Sequence, residues 1–185
     1  MIEVDVYDVH VPNREDETPL EVQAVVVLRE KDGERLLPIW IGEGEGTAIA
    51  LQLESHKVPR PLTHDLTKSL LDAAQVKVES VAINKLVKDT FYAVVSIRTG
   101  VRAKDIDARP SDAINLALRT SAPLFVEESV FEASPGKARA AKPGRTGSAE
   151  LVSRRAEAGR AATVGRPDER LRAAWNDLGI EFEED

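Results

Sequence analysis

Apolar and polar positions alternate from the first residues onward. Ile2, Val4 and Val6 interleave with Glu3, Asp5 and Tyr7, a period of two that predicts a half-buried strand. Asn13–Glu17 is all polar or charged and predicts a solvated turn. Val22–Leu28 is a near-continuous apolar run rich in β-branched residues and predicts a central strand, closed by Lys31-Asp32-Gly33-Glu34 as a hairpin turn. Leu36–Ile41 is the returning strand, and Pro38 assigns it to an edge or a bulge, because proline cannot donate to a ladder. A helix is predicted from about Glu45 to His56, and a second opens at Thr63. There Leu66, Leu70, Leu71 and Ala74 recur at the spacing of one apolar helical face. Val76–Val87 and Thr90–Arg98 read as a strand pair joined at Lys88-Asp89. A third helix carries Ile114, Leu116, Ala117 and Leu118, Pro123 stops it, and Leu124-Phe125-Val126 is a last strand. Hairpins and helices in this order predict an α+β fold: a mixed, largely antiparallel sheet with two to three packed helices.

The pattern changes after residue 134. Residues 135–167 are mostly Ala, Arg, Gly, Ser, Lys and Pro, a composition that predicts a disordered linker. Periodicity returns over residues 168–179, where Leu171, Ala174, Trp175 and Leu178 mark one face of a short amphipathic helix, followed by an acidic tail. Such a helix on a long tether predicts docking onto its own domain or onto a partner. The alternative is a frayed tail that happens to be patterned. The expected organisation is therefore a domain over 1–134, a linker over 135–167 and a helix with its tail over 168–185.

Composition narrows the function. No Cys is present, which excludes disulfides and thiolate metal sites and fits a reducing cytoplasm. The N-terminal residues carry acids where a signal peptide carries bases, and no apolar run reaches the roughly 20 residues that span a bilayer. The expectation is a cytoplasmic protein with no membrane partner. Residues 1–133 hold 15 Lys and Arg against 23 Asp and Glu, a net of −8, while residues 134–185 hold 10 against 9. Long non-specific duplex binding by so acidic a domain is disfavoured. Short nucleic-acid segments and divalent cations are not.

Two segments share one grammar. Arg60-Pro61-Leu62-Thr63-His64-Asp65 and Arg109-Pro110-Ser111-Asp112 each run from Arg-Pro through a hydroxyl residue to an Asp ahead of an apolar stretch. Each is a helix start: Pro presets φ, the hydroxyl residue can cap, and Asp faces the positive end of the helix dipole. An arginine beside free helix N–H groups suits a phosphate or a carboxylate. The echo raises the expectation of a duplicated unit and one composite anion site.

Leu37-Pro38-Ile39-Trp40-Ile41-Gly42, then Glu45 and Ala48-Ile49, then both Arg-Pro segments, with Ile106-Asp107-Ala108 ahead of the second, occur in order. In this ordered set the chain resembles the bifunctional nuclease domain family over roughly residues 1–133. The resemblance implies an α+β domain that self-associates, with members credited with RNase and DNase activity. Gly46 stands where the family pattern has Ala, and the linker and terminal helix lie outside the resemblance.

Phosphodiester hydrolysis needs an activated water, charge neutralisation and help for the leaving group. The catalytic candidates are His64, Asp65, Asp107 and Asp112. Arg60 and Arg109 are the expected phosphate clamps, and Glu45, Asp65 and Asp107 the expected ligands of a divalent ion, Mg²⁺ or Mn²⁺. Each has a structural alternative. Asp65 and Asp112 serve as helix starters, Glu45 as a cap, His64 as a packing or capping residue, and the arginines as partners of these same carboxylates. Serine, cysteine and zinc chemistries find no motif. The leading expectation is a metal-assisted nuclease acting on RNA or DNA as a homo-oligomer, a dimer, with the apolar Leu36–Ile41 segment partly at a surface. The competing one is a non-enzymatic oligomeric module that binds anions or nucleotides.

Overall fold

A computed structural model describes residues 1–11 and 23–134. The turn expected at Asn13–Glu17, the linker and the terminal helix lie outside the described residues. Seven strands form one mixed sheet: β1 (Ile2–His10), β2 (Gln23–Glu30), β3 (Leu36–Gly42), β4 (Val76–Val87), β5 (Thr90–Thr99), β6 (Arg102–Ala108) and β7 (Leu124–Val126). The helices are α1 (Glu43–Leu53), α2 (Thr63–Ala73), α3 (Pro110–Thr120) and α4 (Glu128–Ala133).

The spatial order is β3-β2-β1-β7-β4-β5-β6. Two antiparallel meanders, β1-β2-β3 and β4-β5-β6, flank β7, which runs antiparallel to β1 and parallel to β4. Each meander leads straight into a helix, α1 after β3 and α3 after β6. The topology thus repeats, but it equates α1 with α3, whereas the Arg-Pro echo links α2 with α3. The two Arg-Pro segments also differ in phase. Pro110 is the first residue of α3 with Arg109 as its N-cap, while Leu62 caps α2 and leaves Pro61 and Arg60 outside the helix.

Pro38 lies on β3, an edge of the sheet, where its missing N–H costs no ladder bond. The other edge, β6, has no counterpart in the sequence reading. Its Arg102, Ala103, Lys104 and Asp105 lack β-branched bulk, and charge along an edge discourages pairing with other chains. Helix α4 is a second addition. Val130 and Phe131 are buried, and Arg35 holds the helix to the β2–β3 hairpin by pairing Glu128 and Glu30 and lying 4.6 Å from the Phe131 ring centroid.

The core forms where α1 and α3 meet one face of the sheet, with Ala24, Val26, Leu28, Ile39, Ile49, Val81, Ile83, Ala113, Ile114 and Val126 among its buried members. Helix α2 behaves otherwise. Of its predicted apolar face only Leu71 packs against the core; Leu66 is 54% and Leu70 61% exposed, and the helix's buried residue is His64. Polar contacts described below fix that orientation.

Gly46 shows how closely α1 approaches β2. A Cβ there would stand 2.4 Å from the Ala24 Cβ, a rigid neighbour. Gly46→Ala is expected to destabilise the domain by about 1–3 kcal/mol, the usual cost of overpacking. Adding Ala24→Gly should recover part of that loss, read as a non-additive double-mutant cycle in urea melts.

Candidate functional site

Three helices begin at one place, and each carries an acid at its third residue: Glu45 in α1, Asp65 in α2 and Asp112 in α3. Carboxylates are favoured there because the first turn presents unpaired N–H groups and the positive end of the dipole. Asp65 accepts the Leu62 N–H at 2.9 Å, half of a capping box. The Glu45 carboxylate folds back over Gly42, where a Cβ would come within 2.3 Å of Oε2.

The starts are joined by side chains. His64 Nε2 lies 3.1 Å from Asp112 Oδ1, tying α2 to α3. Arg109 donates from Nε to Asp112 Oδ2 at 2.7 Å and from Nη2 to Oδ1 at 3.1 Å, a two-pronged bond. The same Nη2 lies 2.8 Å from Glu45 Oε1, which brings in α1. The Arg109 side chain is nonetheless 66% exposed. With a proton on Nε2 donated to Asp112, His64 carries a lone pair on Nδ1, and that atom is buried with no hydrogen-bond partner among the described residues.

Behind this cluster lies a deeper one that the sequence reading missed. Arg119 of α3, its side chain 4% exposed, donates from Nε to Asp65 Oδ1 at 2.6 Å. It also reaches Asn115 Oδ1 at 2.8 Å and the Ala48 carbonyl of α1 at 3.2 Å. Asn115 Nδ2 in turn donates to the Ser111 and Glu45 carbonyls. The legible signal was a polar stripe at four-residue spacing, Ser111, Asn115, Arg119, set into an apolar helix.

Of the expected site residues, His64, Asp112, Arg109 and Glu45 come together, and Asp65 adjoins them through Arg119. Arg60 is exposed just ahead of α2 and makes no ion pair with a described residue. Asp107 stands apart. On β6 it is opposite half-buried Val94, while Ile106 and Ala108 are opposite the buried core residues Val95 and Ala93. Alternation therefore places Asp107 on the sheet face away from the core and its helices. The expected set of Glu45, Asp65 and Asp107 is not gathered as one ligand cage. Among the described residues, no three His, Cys, Asp or Glu side chains converge on a point that could hold an ion. Asp65 and Glu45 are each neutralised by an arginine already, so the donor set does not fit a resident metal.

A sequence profile of the Bifunctional nuclease domain matches residues 26–138, more than half of the chain. The chain belongs to the bifunctional nuclease domain family. It is 44% identical over 109 residues to an uncharacterized protein of Mycobacterium tuberculosis, a match covering 59% of this chain and 65% of that one. Bifunctional nuclease 2 of Oryza sativa subsp. japonica is 33% identical over 112 residues, covering 58% of this chain and 34% of the rice protein. Bifunctional nuclease 1 of Arabidopsis thaliana is 29% identical over 107 residues, covering 56% and 33%. The matched segment thus spans about a third of the plant nucleases. Among the described residues, no helix is long and apolar enough to cross a membrane.

Electrostatics accounts for the acid response of this site. Burial pushes the Asp112 carboxyl up, but hydrogen bonds from Arg109 and His64 outweigh it and hold the group below the usual range. Asp65 behaves alike: burial raises it, and the Leu62 N–H and Arg119 bring it below its ordinary value. A carboxyl depressed in the folded state stabilises the fold above its unfolded pKa of about 3.9 and loses that contribution as pH falls through the folded value. Urea melts should show stability falling between about pH 5 and pH 2. Asp112→Asn should be less stable at neutral pH and lose less on acidification. Arg119→Met should cost about 3 kcal/mol, the low end for breaking a buried ion pair because Asp65 is partly exposed.

Proposed function

We propose that this chain is a nuclease that hydrolyses phosphodiester bonds of RNA or DNA at the joined starts of α1, α2 and α3. The observation that carries this reading is the His64–Asp112 pair at 3.1 Å, with Arg109 on the same carboxylate and largely open to solvent. Three converging helix N-termini and an arginine fork favour phosphate oxygens. Arg60, exposed ahead of α2, is the second clamp. In this reading phosphate takes over part of the Arg109 fork, and Asp112 keeps His64 oriented with its proton on Nε2. The Nδ1 lone pair accepts a proton from the attacking water or hydroxyl once substrate opens that side of the ring. Asp65 acts indirectly, by holding the first turn of α2.

No step is routed through a metal, because two of the three expected ligands, Glu45 and Asp65, are engaged with arginines and the third, Asp107, lies on the other face of the sheet. A requirement for Mg²⁺ or Mn²⁺ would then reflect an ion carried in on the phosphate. Self-association belongs to this reading too. Its sequence basis, Leu36–Ile41, forms edge strand β3, with Trp40 at the boundary of exposure and Leu37, Pro38, Ile39 and Ile41 buried. Sedimentation at micromolar concentration should show an oligomer; a monomer would remove this part.

One observation favours a non-enzymatic module that binds small anions or nucleotides: residues 1–133 carry a net charge of −8, which repels a long phosphate backbone more than a small anion. The two readings separate in one assay. Purified full-length protein on single-stranded RNA and DNA, with Mg²⁺, Mn²⁺ or EDTA, should cleave. His64→Ala should lose about 10²-fold or more of that rate, the scale of general acid–base catalysis. Equal cleavage by His64→Ala and by Arg60→Ala/Arg109→Ala would sink the nuclease reading. No cleavage, with phosphate binding that Arg60→Ala/Arg109→Ala abolishes, would establish the binding module instead.

A further inference from the structure

The outward face of α2 is left uncovered by the described residues. Leu66, Leu70, Ala73 and Ala74 recur at i, i+4, i+7 and i+8, and all four are exposed. A helix whose ion pairs turn two leucines to water leaves apolar surface uncovered, and covering it is worth about 25 cal/mol per Å². The stripe is two turns long, about 12 Å at 1.5 Å per residue.

One segment of the same chain matches it. Leu171, Ala174, Trp175 and Leu178 recur at i, i+3, i+4 and i+7, an apolar face of about the same length once helical. The small residues Ala73, Ala74 and Ala174 suit close approach of two helices at about 8–10 Å. Residues 135–167 separate this segment from the domain. A spacer of that length and composition has a mean reach of about 30 Å, comparable to the width of a domain of this size. Tethering supplies an effective concentration near millimolar, so a two-turn contact too weak for a free peptide is occupied within one chain. That arithmetic selects the chain's own tail over a separate partner.

We propose that residues 168–179 dock in cis on the Leu66–Leu70 stripe of α2, the helix whose first turn carries His64. The inference is independent of the chemistry assigned to that turn. The chain contains no Cys, so an engineered pair reports the contact directly. In the full-length Leu70→Cys/Ala174→Cys variant at high dilution, oxidation should give an intrachain disulfide. Val101→Cys/Ala174→Cys, using a residue 94% exposed on the β5–β6 turn, should give at least about tenfold less. Hydrogen exchange supplies a second reading: full-length Trp175→Glu/Leu178→Glu should exchange faster than wild type over residues 66–74 and match it over β4 and β5. Equal crosslinking to positions 70 and 101, a predominantly interchain disulfide, or unchanged exchange over residues 66–74 would each overturn the proposal.

Discussion

A buried guanidinium holds this domain's helices in register. Arg119 reaches a carboxylate on α2, a carbonyl on α1 and an amide on its own helix, so one side chain sets the relative positions of all three. A hydrophobic residue could fill the same volume at no desolvation cost, but it could not tell one rotation of α2 from another. The fork can, because it is satisfied only when Asp65 faces inward. With Asp65 so placed, His64 one residue earlier lies against Asp112, and Leu66 and Leu70 are carried to the solvent side. Site and exposed stripe follow from one constraint.

That constraint also explains the acidity around an expected phosphate site. The domain is strongly acidic overall, yet Glu45, Asp65 and Asp112 are not free negative charges. Each sits at the third residue of a helix, where the dipole favours it, and each is matched by Arg109 or Arg119. Arg109 is the member open to solvent. The charge of these three carboxylates is thus largely offset by two arginines, one of them an exchangeable fork open to solvent. Under the proposed function, such a site favours a short, locally held strand over a long duplex.

Much of this was legible in the chain. The period of two in Ile2–Tyr7, the β-branched run ending at Leu28, Pro38 on an edge and the start of α2 at Thr63 all follow from local chemistry, and local chemistry decided them. The resemblance carried by Leu37–Gly42 and the two Arg-Pro segments is borne out by the family match. What escaped depended on tertiary context. The apolar period of α2 was real, but an ion pair from another helix decided which way it faces. Strand β6 is an edge strand with an edge's composition, so the usual strand signal is absent from it. Asp107 was expected among the ligands because it lies near the end of an element ahead of an Arg-Pro start, and strand alternation turns it to the other face. Asn115 and Arg119 were passed over because polar residues in an apolar helix read as its solvent side, when here they are its buried seam.

The claim on which the account turns is that Asp112 fixes the imidazole of His64 across two helix starts. Long-range proton–nitrogen NMR of the full-length protein at neutral pH reads this directly. The account predicts a His64 ring protonated at Nε2 with a bare Nδ1, and a tautomer mixture once Asp112 is replaced by Asn. A His64 spectrum that shows free exchange between tautomers in the wild type, or that Asp112→Asn leaves unchanged, would contradict it.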